Sequence, residues 1–365
     1  MQSSRRALDR KLRIDELAEC KPETGAPQAS CSRRAKRRIL HPYPYLLPSQ
    51  QERGSTVVTS MGASNMHSNI SSFVDSRELI RWCAIPAQDL LHHPELRVPY
   101  RQVADSRALG ELMATELIQT IEENNRQGRP TRAIIPCGPT CWYEPFSSLV
   151  NANNVSLKAL EVFHMDECLN WEGQPLPAKH PYNFRTFMER HFYGDIRPNL
   201  AVPGEQRHWL LPSTMEAVRV AINEAPIDIA IGGWGQDGHV AYNQARRHPY
   251  HHATLDQIAT CSIRIQENNL DTILALAHRT FGAAYQFVPP MSITLGIREC
   301  LSARKVRVYS DTGAWKQTAL RVALFSEPTP EYPMTLLQTH PDAIVTATLE
   351  TSRHPVSENP DWELL

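Results

Sequence analysis

The chain lacks any apolar run approaching the roughly 18 to 20 residues that cross a bilayer, so no segment of it reads as a membrane span. It also lacks an excess of one charge. Its 38 Lys and Arg stand against 39 Asp and Glu, a formal charge of −1 that argues against a nucleic-acid-coating protein. The eight cysteines are scattered, none sits in a Cys-x-x-Cys pair, and Cys137 and Cys141 have no matching second pair. A disulfide framework and a zinc site are therefore not expected, and reduced thiols in a cytoplasmic enzyme are. The N-terminus is polar and charged, without the apolar core of a signal peptide. No internal repeat is present. What is there is ordinary globular composition, 41% hydrophobic and 21% charged over 365 residues, enough to bury a sizeable core.

Residues 1–75 differ from the rest. A basic run from Arg33 to Arg38 precedes Pro-rich His41-Pro42-Tyr43-Pro44 and then Ser-, Gly- and Asn-rich sequence through Ser72. No helical or strand period persists, so this stretch is expected to be a disordered extension. Its basic run reads as a solvated tail, or as sequence upstream of a start at Met61 or Met66; a nuclear or nucleic-acid address is the alternative. A folded domain is expected over 76–350, its pattern regular from residue 102, with 351–365 as a C-terminal tail. Leu109, Met113, Leu117 and Ile121 recur every four residues behind a capping Ser106, which predicts an amphipathic helix. Strands are predicted at Arg132–Pro136, Leu160–His164, Ile227–Ile231, Ala259–Ile265, Met291–Leu295, Val306–Tyr309 and Ala343–Ala347. Further helices are predicted at Tyr182–Phe192, Ser213–Asn223 and Ala314–Leu324. Strands alternating with helices give an α/β fold: a doubly wound, mostly parallel, Rossmann-like sheet with helices on both faces.

In such sheets ligands sit beyond the carboxyl ends of the strands. Those ends carry Gly138-Pro139-Thr140, then Met165-Asp166-Glu167, then Gly232 to His239, and finally Gly313 with Lys316. A small-residue turn opening a helix offers N–H groups to an anion, although a Gly-x-Thr turn is also common punctuation. Asp166-Glu167 is either an acid/base group or a solvated strand end. In Asp237-Gly238-His239 a carboxylate is placed to fix the imidazole's tautomer; a loop with a structural histidine is the plain alternative. Lys316 and Arg279, each alone, read as surface cations. Together the set is an anion-binding, acid/base constellation.

Strung in order, these segments resemble the glucosamine-6-phosphate deaminase family, which shares its fold with 6-phosphogluconolactonases. The resemblance spans about residues 98–350. It runs through Pro136–Thr140, Phe163–Glu167, His180-Pro181 to Met188, Gly232–Asn243, Arg279, Gly313–Lys316 and His340–Ile344. It implies that Gly138, Thr140, Arg279 and Lys316 hold a substrate phosphate, where an arginine fork and a lysine point charge both suit. Asp166 would move a proton between sugar C2 and C1, His239 would open the pyranose ring, and Asp237 would orient that imidazole. The implied reaction is aldose–ketose isomerisation of a hexosamine 6-phosphate to fructose 6-phosphate and ammonia. It uses no metal or organic cofactor, the chemistry being proton transfer. The partner is then a small sugar phosphate, not a membrane or a nucleic acid, and a homo-oligomer is left open.

Two departures from the family pattern stand out. The family's Glu, completing a triad around the histidine, is Gln244 here, which keeps shape but carries no charge and should leave His239 less basic. The family's Thr-Gly-Gly-Thr-Pro turn is Cys137-Gly138-Pro139-Thr140-Cys141, in which Pro139 removes a backbone donor. The competing readings are a 6-phosphogluconolactonase-type hydrolase, which needs no C2 base, and a non-catalytic phosphosugar sensor, which Gln244 favours.

Overall fold

A computed structural model describes residues 74–245 and 253–365. The expected disordered extension and its basic run lie, but for its last two residues, outside the described residues. In chain order the elements are α1 (Ser76–Cys83), β1 (Tyr100–Val103), α2 (Ser106–Arg126), β2 (Thr131–Ile135), α3 (Tyr143–Asn153), β3 (Leu160–His164), β4 (Asp166–Leu169), α4 (Phe184–His191), β5 (Arg207–His208), α5 (Met215–Glu224) and β6 (Ile229–Gly232). They continue with α6 (Leu255–Ala259), β7 (Arg264–Glu267), α7 (Leu270–Thr280), β8 (Met291–Thr294), α8 (Ile297–Leu301), β9 (Lys305–Ser310), α9 (Gln317–Phe325), β10 (Ala343–Thr348), α10 (Leu349–Ser352) and α11 (Pro355–Glu358).

Seven strands form one parallel sheet in the order β1-β10-β9-β6-β2-β3-β5. Both faces are covered because successive side chains of a strand point to opposite sides. Ala133 and Ile135 of β2, Val162 of β3 and Ile231 of β6 pack under α2 and α3 with Leu109, Met113, Leu117 and Phe146. Their neighbours Ile134, Phe163 and Ala230 face the other core, with Val218 of α5 and Leu320 and Leu324 of α9. The four-residue apolar stripe of α2 is fully buried. Truncating one of its leucines to Ala should cost about 2 to 5 kcal/mol. The helix is capped by Asp105, whose Oδ1 accepts the Ala108 N–H at 2.8 Å, and not by Ser106, which is the first helical residue.

Strand β4 pairs antiparallel with β8, and β8 with β7, in a separate three-stranded sheet. Met165 joins the two sheets: its N–H donates to Ile135 O of the large sheet at 3.0 Å, and its carbonyl accepts Leu295 N–H beside the small one at 2.9 Å. One expectation is corrected here. The strand expected from Ala259 to Ile265 is instead the end of α6, started by a Thr254–Gln257 capping box, followed by β7 from Arg264. After Phe163-His164 the chain passes through Met165 directly into β4. Packing also continues past residue 350, since Thr351 and Ser352 are buried and Ser352 shares a 2.5 Å hydrogen bond with Tyr100.

The chain moves outward from β2 to β3 and β5, then returns to lay β6 on the opposite side of β2. The strand order therefore reverses between β2 and β6, where open α/β sheets make a crevice.

Candidate active site

The crevice is a cavity of about 540 Å³. Of the eight residues singled out from sequence, Gly138, Thr140, Asp166, His239, Arg279 and Lys316 line it. Asp237 lies directly behind His239, and Gln244 lies further off.

Asp166 opens β4 at the sheet junction, its carboxylate half-buried and without a side-chain hydrogen bond among the described residues. Burial, with the adjacent Glu167 charge, pushes its carboxyl up to about 7 against a lowering pull from His239. A carboxylate so poorly supported in its ionised form is poised to take a proton.

His239 comes from a tight turn after β6. Gly235 N–H donates to His239 O at 2.9 Å and Gly238 N–H to Gly235 O at 3.0 Å. Gly238 has φ +71°, a backbone that favours glycine. A side chain at Gly235 would run into the imidazole ring itself. The ring also stacks on Tyr242, centroids 5.6 Å apart and planes 14° apart. Asp237 Oδ1 accepts the Nδ1–H of His239 at 2.6 Å, which leaves Nε2 as the basic nitrogen. Burial would raise the Asp237 carboxyl, but the His239 imidazole and the hydrogen bonds from His239 and Asn269 hold it at about 2. It stays an anion throughout the working range.

Arg279 ends α7 and Lys316 precedes α9. Neither has a carboxylate partner among the described residues; Arg279 lies over Trp315 and Lys316 over Trp234. Burial and then the Arg279 charge lower the Lys316 ammonium to about 8, with Asp311 pulling the other way. Two unpaired cations beside the exposed Gly138 and Thr140 backbone make an anion site. Among the described residues no group of three or more His, Cys, Asp or Glu is placed to hold a metal.

Gln244 departs from its expected place beside His239. Its Nε2 donates to Thr272 Oγ1 at 2.6 Å and its Oε1 accepts the Asn269 N–H at 2.8 Å. The connection to His239 runs instead through Asn269, whose side-chain N–H donates to Asp237 Oδ2 at 2.6 Å. Asn269, Thr272, Tyr242 and Asp311 are site residues that sequence reasoning missed. Only Asn269 carried a local signal, an Asn immediately before an apolar-periodic run.

No family model matches the sequence. The chain is 31% identical over 215 residues to glucosamine-6-phosphate deaminase 2 of Mus musculus, covering 58% of this chain and 72% of the mouse protein. The chain belongs to the glucosamine-6-phosphate deaminase family. Glucosamine-6-phosphate deaminase of Aliivibrio fischeri strain MJ11 is 28% identical over 245 residues, 65% of this chain and 85% of that protein. The fold is shared with a solved monomeric glucosamine-6-phosphate deaminase at TM-score 0.56 and 19% identity, over 70% of this chain and 98% of that one. It is shared also with 6-phosphogluconolactonase from Trypanosoma cruzi at TM-score 0.50 and 17% identity, over 74% and 100%.

Proposed function

We propose that the protein is a glucosamine-6-phosphate deaminase, converting a hexosamine 6-phosphate and water to fructose 6-phosphate and ammonia. The substrate phosphate sits between Arg279, Lys316 and the Gly138–Thr140 turn. His239, held by Asp237 through Nδ1, uses Nε2 to move the protons that open the pyranose ring. Asp166 then takes the C2 proton from the open-chain aldose and returns it to C1. That transfer converts the C2 amine to an imine, which water hydrolyses to the ketose with loss of ammonia. Each step is proton transfer by a positioned acid or base.

The observation that carries this reading is Asp166, a carboxylate with no hydrogen-bond partner among the described residues, in the same cavity as His239 and two cations with no carboxylate partner among those residues. A lactone hydrolase needs no base at that position. The test is to supply glucosamine 6-phosphate and 6-phosphogluconolactone and follow ammonia, ketose and acid release in parallel. Ammonia with ketose is expected; acid release alone would make the protein a lactonase, and ligand binding without turnover a sensor. The six free cysteines among the described residues support the cytoplasm as its compartment.

A further inference from the structure

Asn269 precedes α7 and spends every polar group it has. Its side-chain oxygen accepts the Thr272 N–H at 3.0 Å, the ordinary duty of a helix N-cap. That bond identifies the oxygen, so the amide's other arm is the NH2 group, and it donates to Asp237 Oδ2 at 2.6 Å. Its backbone N–H donates to Gln244 Oε1 at 2.8 Å. Capping needs only the first bond. The second falls on the carboxylate whose other oxygen holds His239 Nδ1. Asp237 is almost fully buried, and its two oxygens are divided between His239 and Asn269. Gln236 and Gln244 tie the same helix end to the loop, donating to Asp271 O at 2.5 Å and to Thr272 Oγ1 at 2.6 Å.

We propose that Asn269 is a positioning residue of the deamination site: its side-chain N–H fixes the second oxygen of Asp237, and so the orientation and tautomer of the His239 ring. This rests on the deaminase reading of the cavity. With Oδ2 free, the carboxylate can turn about its terminal bond, and a small misplacement of the ring behind it is enough to slow a positioned proton transfer strongly.

Two variants test it. Asn269→Asp keeps the cap, since Asp caps as well as Asn, but sets a second carboxylate against Asp237 Oδ2. Asn269→Ser keeps a cap oxygen and removes the donor without adding charge. The other titratable groups sharing the cavity with His239 are Asp166, Asp311, Arg279, Lys316, the Cys137 thiol and the Tyr182 and Tyr242 phenols, and neither variant alters them. Asn269→Asp should lower kcat about 10-fold or more while the affinity for inorganic phosphate stays within about 2-fold. It should also move the acidic limb of the pH–rate profile upward by about one pH unit, because a nearby anion favours the imidazolium. The His239 ring is read directly by 15N NMR of histidine-labelled full-length protein, its signal identified with His239→Gln. Wild type should show the Nδ1–H tautomer, Asn269→Ser a mixture, and Asn269→Asp a raised titration midpoint. Wild-type tautomer and titration in both variants would overturn the proposal. The NMR arm does not depend on turnover, so absence of ammonia release from wild type would sink the deaminase reading while leaving Asn269 still decided by the ring signals.

Discussion

Replacing Asp166 by Asn should have two effects of opposite sign. Activity should fall about 10²- to 10⁴-fold, the usual loss for a general base, because the amide keeps the shape without the basicity. Stability should rise. The folded-state carboxyl is pushed up to about 7 from an ordinary 3.8, so the fold prefers the protonated form. A group raised in this way contributes its full stability below the unfolded value and loses it as pH climbs through the folded one. At pH 8 the ionised wild type therefore bears a cost of three pKa units, at most about 4 kcal/mol and about 2 to 4 after screening at the cavity mouth. At pH 5 the same arithmetic leaves about 1 to 2 kcal/mol. The assays are exchange of substrate C2–H with deuterated solvent and thermal melting at the two pH values. Expected are near-complete loss of exchange and a melting temperature raised by several degrees at pH 8, less at pH 5. Wild-type exchange would assign the base elsewhere. Equal or lower stability at pH 8 would mean that Asp166 is not held in a raised state, and the account of its poise would fall.

Lys316→Ala and Arg279→Ala should each weaken binding of substrate and of inorganic phosphate by about 1.5 to 3 kcal/mol, with smaller effects on kcat; calorimetry with phosphate checks this. Because the Lys316 ammonium is lowered to about 8, phosphate affinity in wild type should decline as pH rises through that value, and Lys316→Arg should flatten the decline. Gly235→Ala should cost at least about 10²-fold in kcat by displacing the imidazole, with phosphate affinity unchanged; retained activity would show that the turn yields. Gln244→Glu can keep both hydrogen bonds, accepting from Asn269 N–H and from the Thr272 hydroxyl. Its charge reaches His239 only past Asn269 and Asp237, so the acidic limb of the pH–rate profile should move by well under one unit, and a full-unit shift would contradict this placement.

The inner parallel strands were legible because they are buried on both faces and read as short unbroken apolar runs: Leu160–His164 was expected with those bounds, and β2, β6, β9 and β10 within a residue or two, while the edge strands β1 and β5 were not expected. Strands β4 and β7 were harder. Asp166–Leu169 and Arg264–Glu267 are four residues each, the first half polar and the second polar at all but Ile265, and they are strands only because β8 lies between them. Helix α3 was missed for a related reason, its Pro145 and paired serines breaking the apolar period that Phe146 and Val150 sustain in the fold. Site residues at strand ends could be listed from sequence because topology alone gathers them. Asn269 could not, since its bonds to Gln244 and Asp237 reach 25 and 32 residues along the chain and exist only once α7 docks.

Asp166 and Glu167 look like one acidic unit in the sequence, and strand geometry divides them. Successive residues of β4 point to opposite faces, so Asp166 enters the cavity while Glu167 turns toward the start of α4. There its carboxylate accepts the N–H groups of Phe184 and Arg185, each at 2.8 Å, and of Cys168 at 3.0 Å. Burial raises Glu167 to about 7 as well, but those three donors pull against it. Asp166 has no such donors among the described residues. Of two neighbouring buried carboxyls that resist ionising together, the one with hydrogen bonds to its charged form ionises more readily. Glu167 is thus the structural anion that anchors α4, and its charge is one of the two causes holding Asp166 near neutrality. Burial in the cavity wall is the larger cause of that poise, and Glu167, held behind the strand at the start of α4, adds to it. A helix start left without Glu167 would lose its acceptor at the same time as Asp166 lost the charge that adds to burial in making it basic.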